Sequence, residues 1–221
     1  MGSVSYEEIS IDNFKMFVGE ATPYEDSGDK AFYKSGKELT VMAAIDGVSN
    51  SASASKSSRA VKDFLEVHFK NKRTFNFNDF MAELSELNHK MHTKELASTL
   101  SLIVINNDQI SVINIGDSQV YLELKNGSYY ESLTQNVGFS KDVENKDGHI
   151  LLNWLGSEMI RAEVSYFKQS EVVCGLLCSD GLNDLVKKIV PDKSFSKMHE
   201  VFPKIIPEDL HDDVTCIEFV I

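Results

Sequence analysis

The 221-residue sequence predicts an α+β domain in which mostly antiparallel sheets are layered against helices. Three observations carry this reading. Apolar, β-branched runs come in consecutive groups rather than alternating singly with helices. Short turn signals of hairpin type join several of them, and one block of helical periodicity interrupts them. No Pro-rich or Gly-rich linker and no internal repeat divides the chain, so residues 1–221 read as one domain.

Residues 1–17 carry no usable motif, and an edge strand is expected around Ile9 to Val18. The first strong strand signal is ELTVMAAID (38–46), whose alternation ends at an Asp-Gly turn. A polar stretch, SNSASASKSS (49–58), leads into a helix from Ser53 to Lys70 with Ala60, Val61, Phe64, Leu65 and His68 on one face. A second helix is expected after Asn78, with Phe80, Leu84, Leu87 and Met91 at helical spacing. Strands at 98–106 and 110–116 are joined by Asn107-Asp108, and Lys125-Asn126-Gly127 turns 118–124 back into 128–133. The last strands are EVVCGLLCSD (171–180) and VTCIEFVI (214–221), with short helices at 182–190 and 194–206 between them.

Composition narrows the function classes. A hydrophobic content of 42 % and a charged content of 25 % are ordinary for a globular protein. No window approaches the roughly 18 to 20 apolar residues that span a membrane, so no membrane partner is expected. The start MGSVSYEEIS has no basic and apolar leader, and Tyr6 stands where a myristoylation motif wants Ser or Thr; a cytoplasmic location is the expectation. Cys174, Cys178 and Cys216 lie in apolar runs without a CxxC pair and read as reduced core residues. A formal net charge of −12 argues against a nucleic-acid partner.

Four separated apolar stretches meet an aspartate beside a turn residue or a second acid: AAIDG (43–47), INIGDS (113–118), LLCSDG (176–181) and HDDVT (211–215). One Asp-Gly is only a turn signal, but four in similar context deliver Asp46, Asp117, Asp180 and Asp212 to strand ends. Carboxylates gathered there repel one another unless hard cations sit between them, which points to a multi-metal site. A Gly after the Asp also lets a backbone carbonyl approach as a further ligand. Oxygen-only ligands favour Mg²⁺ or Mn²⁺, and no His/Cys set of zinc spacing is visible.

In this order YEDS (24–27), AAIDGV (43–48), ASTLSLIVI (97–105), VINIGDSQVYL (112–122), ESLT (131–134), LLNWLG (151–156), LLCSDGLNDLV (176–186) and DDVT (212–215) resemble the metal-dependent serine/threonine protein phosphatases. The family is protein phosphatase 2C, above all its compact bacterial members. The resemblance implies a four-layer α-β-β-α sandwich of two antiparallel sheets flanked by helices. It implies that Asp46 bridges two Mg²⁺ or Mn²⁺ ions, that Asp180 and Asp212 complete the first, and that Glu25 or Asp26 with the Gly47 carbonyl completes the second. Asp117 would help to hold a third, weaker ion, and Asp46, Asp180 and Asp212 would carry the catalysis. The implied reaction is hydrolysis of phosphoserine or phosphothreonine in a protein substrate by a water bridging the two ions. The enzyme is expected to act as a monomer, opposing a bacterial serine/threonine kinase.

Several positions depart from the family pattern. The Arg that commonly stands five residues before the first metal-binding Asp, and contacts substrate phosphate, is Ala21; Lys30, Lys34, Lys56 or Arg59 would have to substitute. The usual glycine pair after the first Asp-Gly is Ser49-Asn50, Val48 replaces a histidine found in some members, Gln119 an Arg, and Asp213 an Asn. Two other readings compete with the enzyme: a non-catalytic relative acting as a phosphoprotein-binding or regulatory module, and a β-sandwich whose acidic loops bind structural calcium. The motif order speaks against the last.

Overall fold

The computed structural model describes residues 2–11, 14–48, 53–138, 149–182 and 198–221. Ser49-Asn50, most of the expected helix 182–190 and the start of the one at 194–206 lie outside the described residues. One sheet is built from six strands, β1 (Ser3–Ile11), β2 (Phe14–Thr22), β7 (Gln119–Leu124), β8 (Tyr129–Glu131), β12 (Val172–Cys178) and β13 (Val214–Val220), in the order β1-β2-β13-β12-β7-β8. The second holds β3 (Asp29–Lys34), β4 (Leu39–Asp46), β5 (Leu100–Asn106), β6 (Gln109–Ile115) and β11 (Glu163–Lys168), in the order β11-β6-β5-β4-β3. All these pairings are antiparallel, and β9 (Asn136–Gly138) with β10 (His149–Leu151) forms a separate two-stranded piece.

The two sheets face each other. Met42, Ile103 and Val112 of the five-stranded sheet meet Val120, Leu177, Ile217 and Phe219 of the six-stranded one. On the other face of the five-stranded sheet, Val41, Ala43, Ile45, Leu102 and Val104 meet Val61, Leu65, Phe69, Phe80, Leu84 and Met91 of two helices, α1 (Ser53–Phe69) and α2 (Phe77–Thr93). A strand covered on both faces has no solvent side, which is why β4 is buried continuously until Asp46. The outer face of the six-stranded sheet presents Tyr121, Leu176, Cys178 and Cys216 to Leu182, Met198 and Phe202. These last two come from a short helix, α3 (Met198–Val201), and the 3₁₀ turn Phe202–Lys204 that follows it. Glu218 of β13 accepts the His199 amide at 3.0 Å, holding α3 to the sheet. The arrangement is the α+β sandwich expected from the sequence.

Local signals explain most boundaries. Asn107, with φ of 56°, turns β5 into β6, and Gly127, with φ of 80°, closes the β7–β8 hairpin. The second helix starts earlier than expected, because Asn76 caps it by accepting the amides of Asn78 and Asp79. The stretch from Ile9 to Val18 is not one edge strand. The edge strand is β1, and β2 lies inside the sheet between β1 and β13.

Candidate active site

Strand ends from both sheets meet at one rim. Asp46 is the last residue of β4, Asp117 follows β6 and Asp180 follows β12. One carboxylate oxygen from each lies within 4.8 Å of the others, so three of the four aspartates singled out in the sequence are brought together. The backbone of Asp46 is fixed on both sides: its carbonyl accepts Ser98 Oγ at 2.7 Å and the Thr99 amide at 2.8 Å, and its amide donates to Thr99 Oγ1 at 3.3 Å. Thr99 Oγ1 in turn lies 2.6 Å from Ser118 Oγ, which ties Asp46 to the residue after Asp117. Asp117 is aimed by Asn136, whose Nδ2 donates to its Oδ2 at 3.1 Å. Gly116, at φ of 106°, must be glycine, since a Cβ there would stand 2.6 Å from the Thr99 methyl group.

A fourth carboxylate, that of Asp29, lies against Asp46. Asp29 opens β3 directly opposite Asp46 in the strand register and is 2 % exposed. Ser179 and Asp46 hydrogen-bond to it. Burial, with the charges of Asp180 and Asp213 adding to it, pushes Asp29 up to about 8. Asp46 is held well above the ordinary carboxylate range by removal from water and then by Asp29, Asp180 and Asp117. Asp29 Oδ2 is buried with no hydrogen-bond partner among the described residues. The signal for Asp29 was a Gly-Asp pair running directly into the alternating Lys30, Ala31, Phe32 and Tyr33 of a strand.

The remaining predicted residues are placed differently. Glu25 and Asp26 are exposed in the bend after β2 and do not join the carboxylate group. Asp212 is exposed and also lies outside it, its Oδ1 accepting the amide of Asp213 at 2.8 Å. It stays beside the Asp180 turn, since a Cβ on Gly181 would lie 3.4 Å from the Asp212 Cβ. The Gly47 amide donates to the Gly28 carbonyl at 3.2 Å, and its own carbonyl lies 3.8 Å from where a Cβ on Gly28 would be. Ala21 is buried in β2 opposite Val214. Lys30 donates to the carbonyls of Ser27 and Asp29, and Lys34 to those of Phe69 and Lys72; both ammonium groups are engaged by backbone. Lys56 and Arg59 are exposed on α1. Counted back five positions from Asp29, the place of the usual Arg falls on exposed Tyr24.

The donor set suits hard divalent cations. It consists of oxygen atoms only, it crowds carboxylates in partial burial, and it leaves a buried oxygen of Asp29 unpaired. Asp29, Asp46, Asp117 and Asp180, with the Gly47 carbonyl, are the residues that could hold such ions.

Comparison with known proteins agrees with this geometry. Among solved structures, RsbX in complex with magnesium is similar over 98 % of this chain and 99 % of its own, with 18 % identity and a TM-score of 0.71. The serine/threonine phosphatase Stp1 from Staphylococcus aureus is similar over 100 % of this chain and 95 % of its own, with 13 % identity and a TM-score of 0.71. The Mycobacterium tuberculosis serine/threonine phosphatase PstP/Ppp covers 100 % and 98 %, with 16 % identity and a TM-score of 0.63. At these identities the likeness is one of fold. No curated protein sequence matches the chain. Residues 19–212 match the sequence model of the family described as Protein phosphatase 2C, and the chain belongs to that family.

Proposed function

We propose that the chain is a metal-dependent phosphatase that hydrolyses phosphoserine and phosphothreonine in proteins, with Mg²⁺ or Mn²⁺ as its cofactor. The observation that carries this reading is the convergence of Asp46, Asp117 and Asp180 within 4.8 Å in a chain of this family. RsbX, which has the same fold, was solved with magnesium. Two such ions bound here would lower the pKa of a water they share and neutralise charge on the phosphoryl oxygens. Phosphoryl transfer asks little covalent chemistry of the protein, so the work of these residues is positioning and charge. Asp29, Asp46 and Asp180 supply negative charge at fixed points, with Asp46 anchored by Ser98 and Thr99 and Asp29 by the strand register. Asp117, turned inward by Asn136, serves the outer, weaker position. Asp212 lies outside the group of three and flanks the Asp180 turn, where it would be an outer ligand.

The partner is a phosphorylated protein, whose kinase would be a bacterial serine/threonine kinase, and the chain acts as a single-domain monomer in the cytoplasm. No described helix is long and apolar enough to cross a membrane. A net charge of −12 fits a substrate met through local metal charge rather than through a basic surface.

The test is phosphate release from a phosphothreonine peptide and from a small aryl phosphate, with Mn²⁺, with Mg²⁺ and with chelator. Turnover should require the metal and should vanish in Asp46→Ala and in Asp180→Ala, with the fold retained. Metal binding without turnover would point instead to a regulatory module. Unchanged hydrolysis in both variants would remove the mechanism.

A further inference from the structure

The family pattern has an Asn where this chain has Asp213, and the structure gives the extra carboxylate an unusual setting. Asp213 is only 7 % exposed, while its neighbour Asp212 is exposed. Its Oδ2 accepts the Gly28 amide at 2.6 Å, across 185 residues of sequence, and so fixes the backbone immediately before Asp29. Its Oδ1 is buried and finds no hydrogen-bond partner among the described residues. Asp29 shares both properties: it is buried, its Oδ2 is unpartnered, and Asp213 acts on it electrostatically. Gly28 packs tightly between them and α1, for a Cβ there would lie 3.0 Å from Asp213 Oδ2 and 3.1 Å from the Ala54 Cβ.

An amide would serve the Gly28 contact equally well, since the side-chain oxygen of Asn accepts the same N–H. What Asp adds is charge, at a place where charge is costly. Two buried carboxylates side by side are tolerated only when something positive or a proton offsets them. Among the described residues neither Asp29 nor Asp213 forms an ion pair, and Lys30, the basic residue next to Asp29, directs its ammonium to the Ser27 and Asp29 carbonyls.

We infer that Asp213 is a further member of the cation centre, lending its negative charge and its free Oδ1 to the ion position built on Asp29. This rests on the metal-dependent reading above. It assigns to this chain a more acidic centre than the family pattern provides, with correspondingly tighter hold on a divalent cation.

The experiment is titration of the whole protein with Mn²⁺ by calorimetry, paired with thermal melting in chelator and in Mn²⁺, for the parent, Asp213→Asn, Asp213→Ala and the exposed control Asp209→Asn. Asp213→Asn keeps the acceptor for Gly28 and should fold. Its Mn²⁺ affinity should fall about 10- to 100-fold, with a smaller Mn²⁺-induced rise in melting temperature. Asp213→Ala should lose at least as much. An Asn variant that binds like the parent while the Ala variant is weakened would reduce Asp213 to a backbone anchor and overturn the inference. So would an equal loss in Asp209→Asn, which would make the effect one of net charge. A parent protein that binds no Mn²⁺ would overturn both this inference and the metal-dependent reading, whereas normal binding unaffected by Asp213→Asn would sink this inference alone.

Discussion

Asp29, the first residue of β3, pairs with Asp46, the last residue of the next strand, β4, so that the two ends of one antiparallel pair bring two carboxyl groups together at the rim. Removing one of them should affect stability and metal binding in opposite directions. Asp29→Asn deletes a buried acid that burial and its acidic neighbours disfavour as an anion, and should raise the melting temperature in chelator. The same change should lower Mn²⁺ affinity by about 100-fold, with loss of turnover. Melting in chelator and calorimetric titration read the two effects separately. A variant that melts lower in chelator and binds Mn²⁺ normally would take Asp29 out of the site.

Gly47 links that rim to α1. A Cβ on Gly47 would lie 2.0 Å from the Ala54 carbonyl, in the first turn of the helix, so even alanine forces the two segments apart. The displaced residue follows Asp46, and a shift of this order at a catalytic centre costs about 100-fold in rate. Gly47→Ala is therefore expected to lose most of its turnover while the two core layers stay packed. Circular dichroism beside phosphate release checks this; a variant with parental kcat would mean that α1 yields without disturbing Asp46.

Asn136 donates to Asp117, and the neighbouring Gln135 accepts the Gly116 amide at 2.8 Å. Asn136→Ala removes the first contact and leaves the second. The expected result is a rise of about tenfold in the Mn²⁺ concentration needed for half-maximal activity, with little change in melting temperature. An unchanged metal requirement would mean that Asp117 keeps its orientation without Asn136.

How far the sequence reveals this centre depends on where each acid sits in its element. Asp46, Asp117 and Asp180 end apolar strands, and the break from buried run to acid and turn is visible without a structure. Asp29 begins a strand of only six residues, and Glu25 and Asp26 just upstream supply a more conspicuous acidic pair. Choosing between them needs the register of β3 against β4, which is a tertiary fact. Asp212 and Asp213 show the same limit. Which of two adjacent acids turns inward is decided by the Gly28 amide, contributed from the other end of the chain. The hairpins β5–β6 and β7–β8 were legible because Asn107 and Gly127 adopt positive φ, a local property. β1 carries exposed Tyr6, Glu7 and Glu8, has no alternation strong enough to read, and exists because β2 offers it an edge.

Far from the rim, α1 and α2 are joined by a contact whose pH dependence has a definite sign. His68 is buried against the rings of Phe64, Phe69 and Phe80, with centroids 5.7, 4.7 and 5.2 Å away. Its Nδ1 lies 2.6 Å from Glu83 Oε2, and Lys72 Nζ lies 2.9 Å from its Nε2. Lys72 Nζ also lies 3.2 Å from Nδ1, and the shortest of these contacts is the one between Nδ1 and Glu83. That hydrogen bond lowers the Glu83 pKa from its ordinary 4.5, with Lys72 adding to it. A lowered carboxylate contributes stability above its unfolded pKa and loses it as pH falls through the folded value. Glu83 is half exposed, so solvent screening keeps the contribution below about 1 kcal/mol. Glu83→Gln should therefore melt slightly lower than the parent at pH 6, and the gap should close as both are taken below the ordinary carboxylate range. Melting curves across that range are the check; a gap that stays constant into acid would show that the amide changes packing rather than charge.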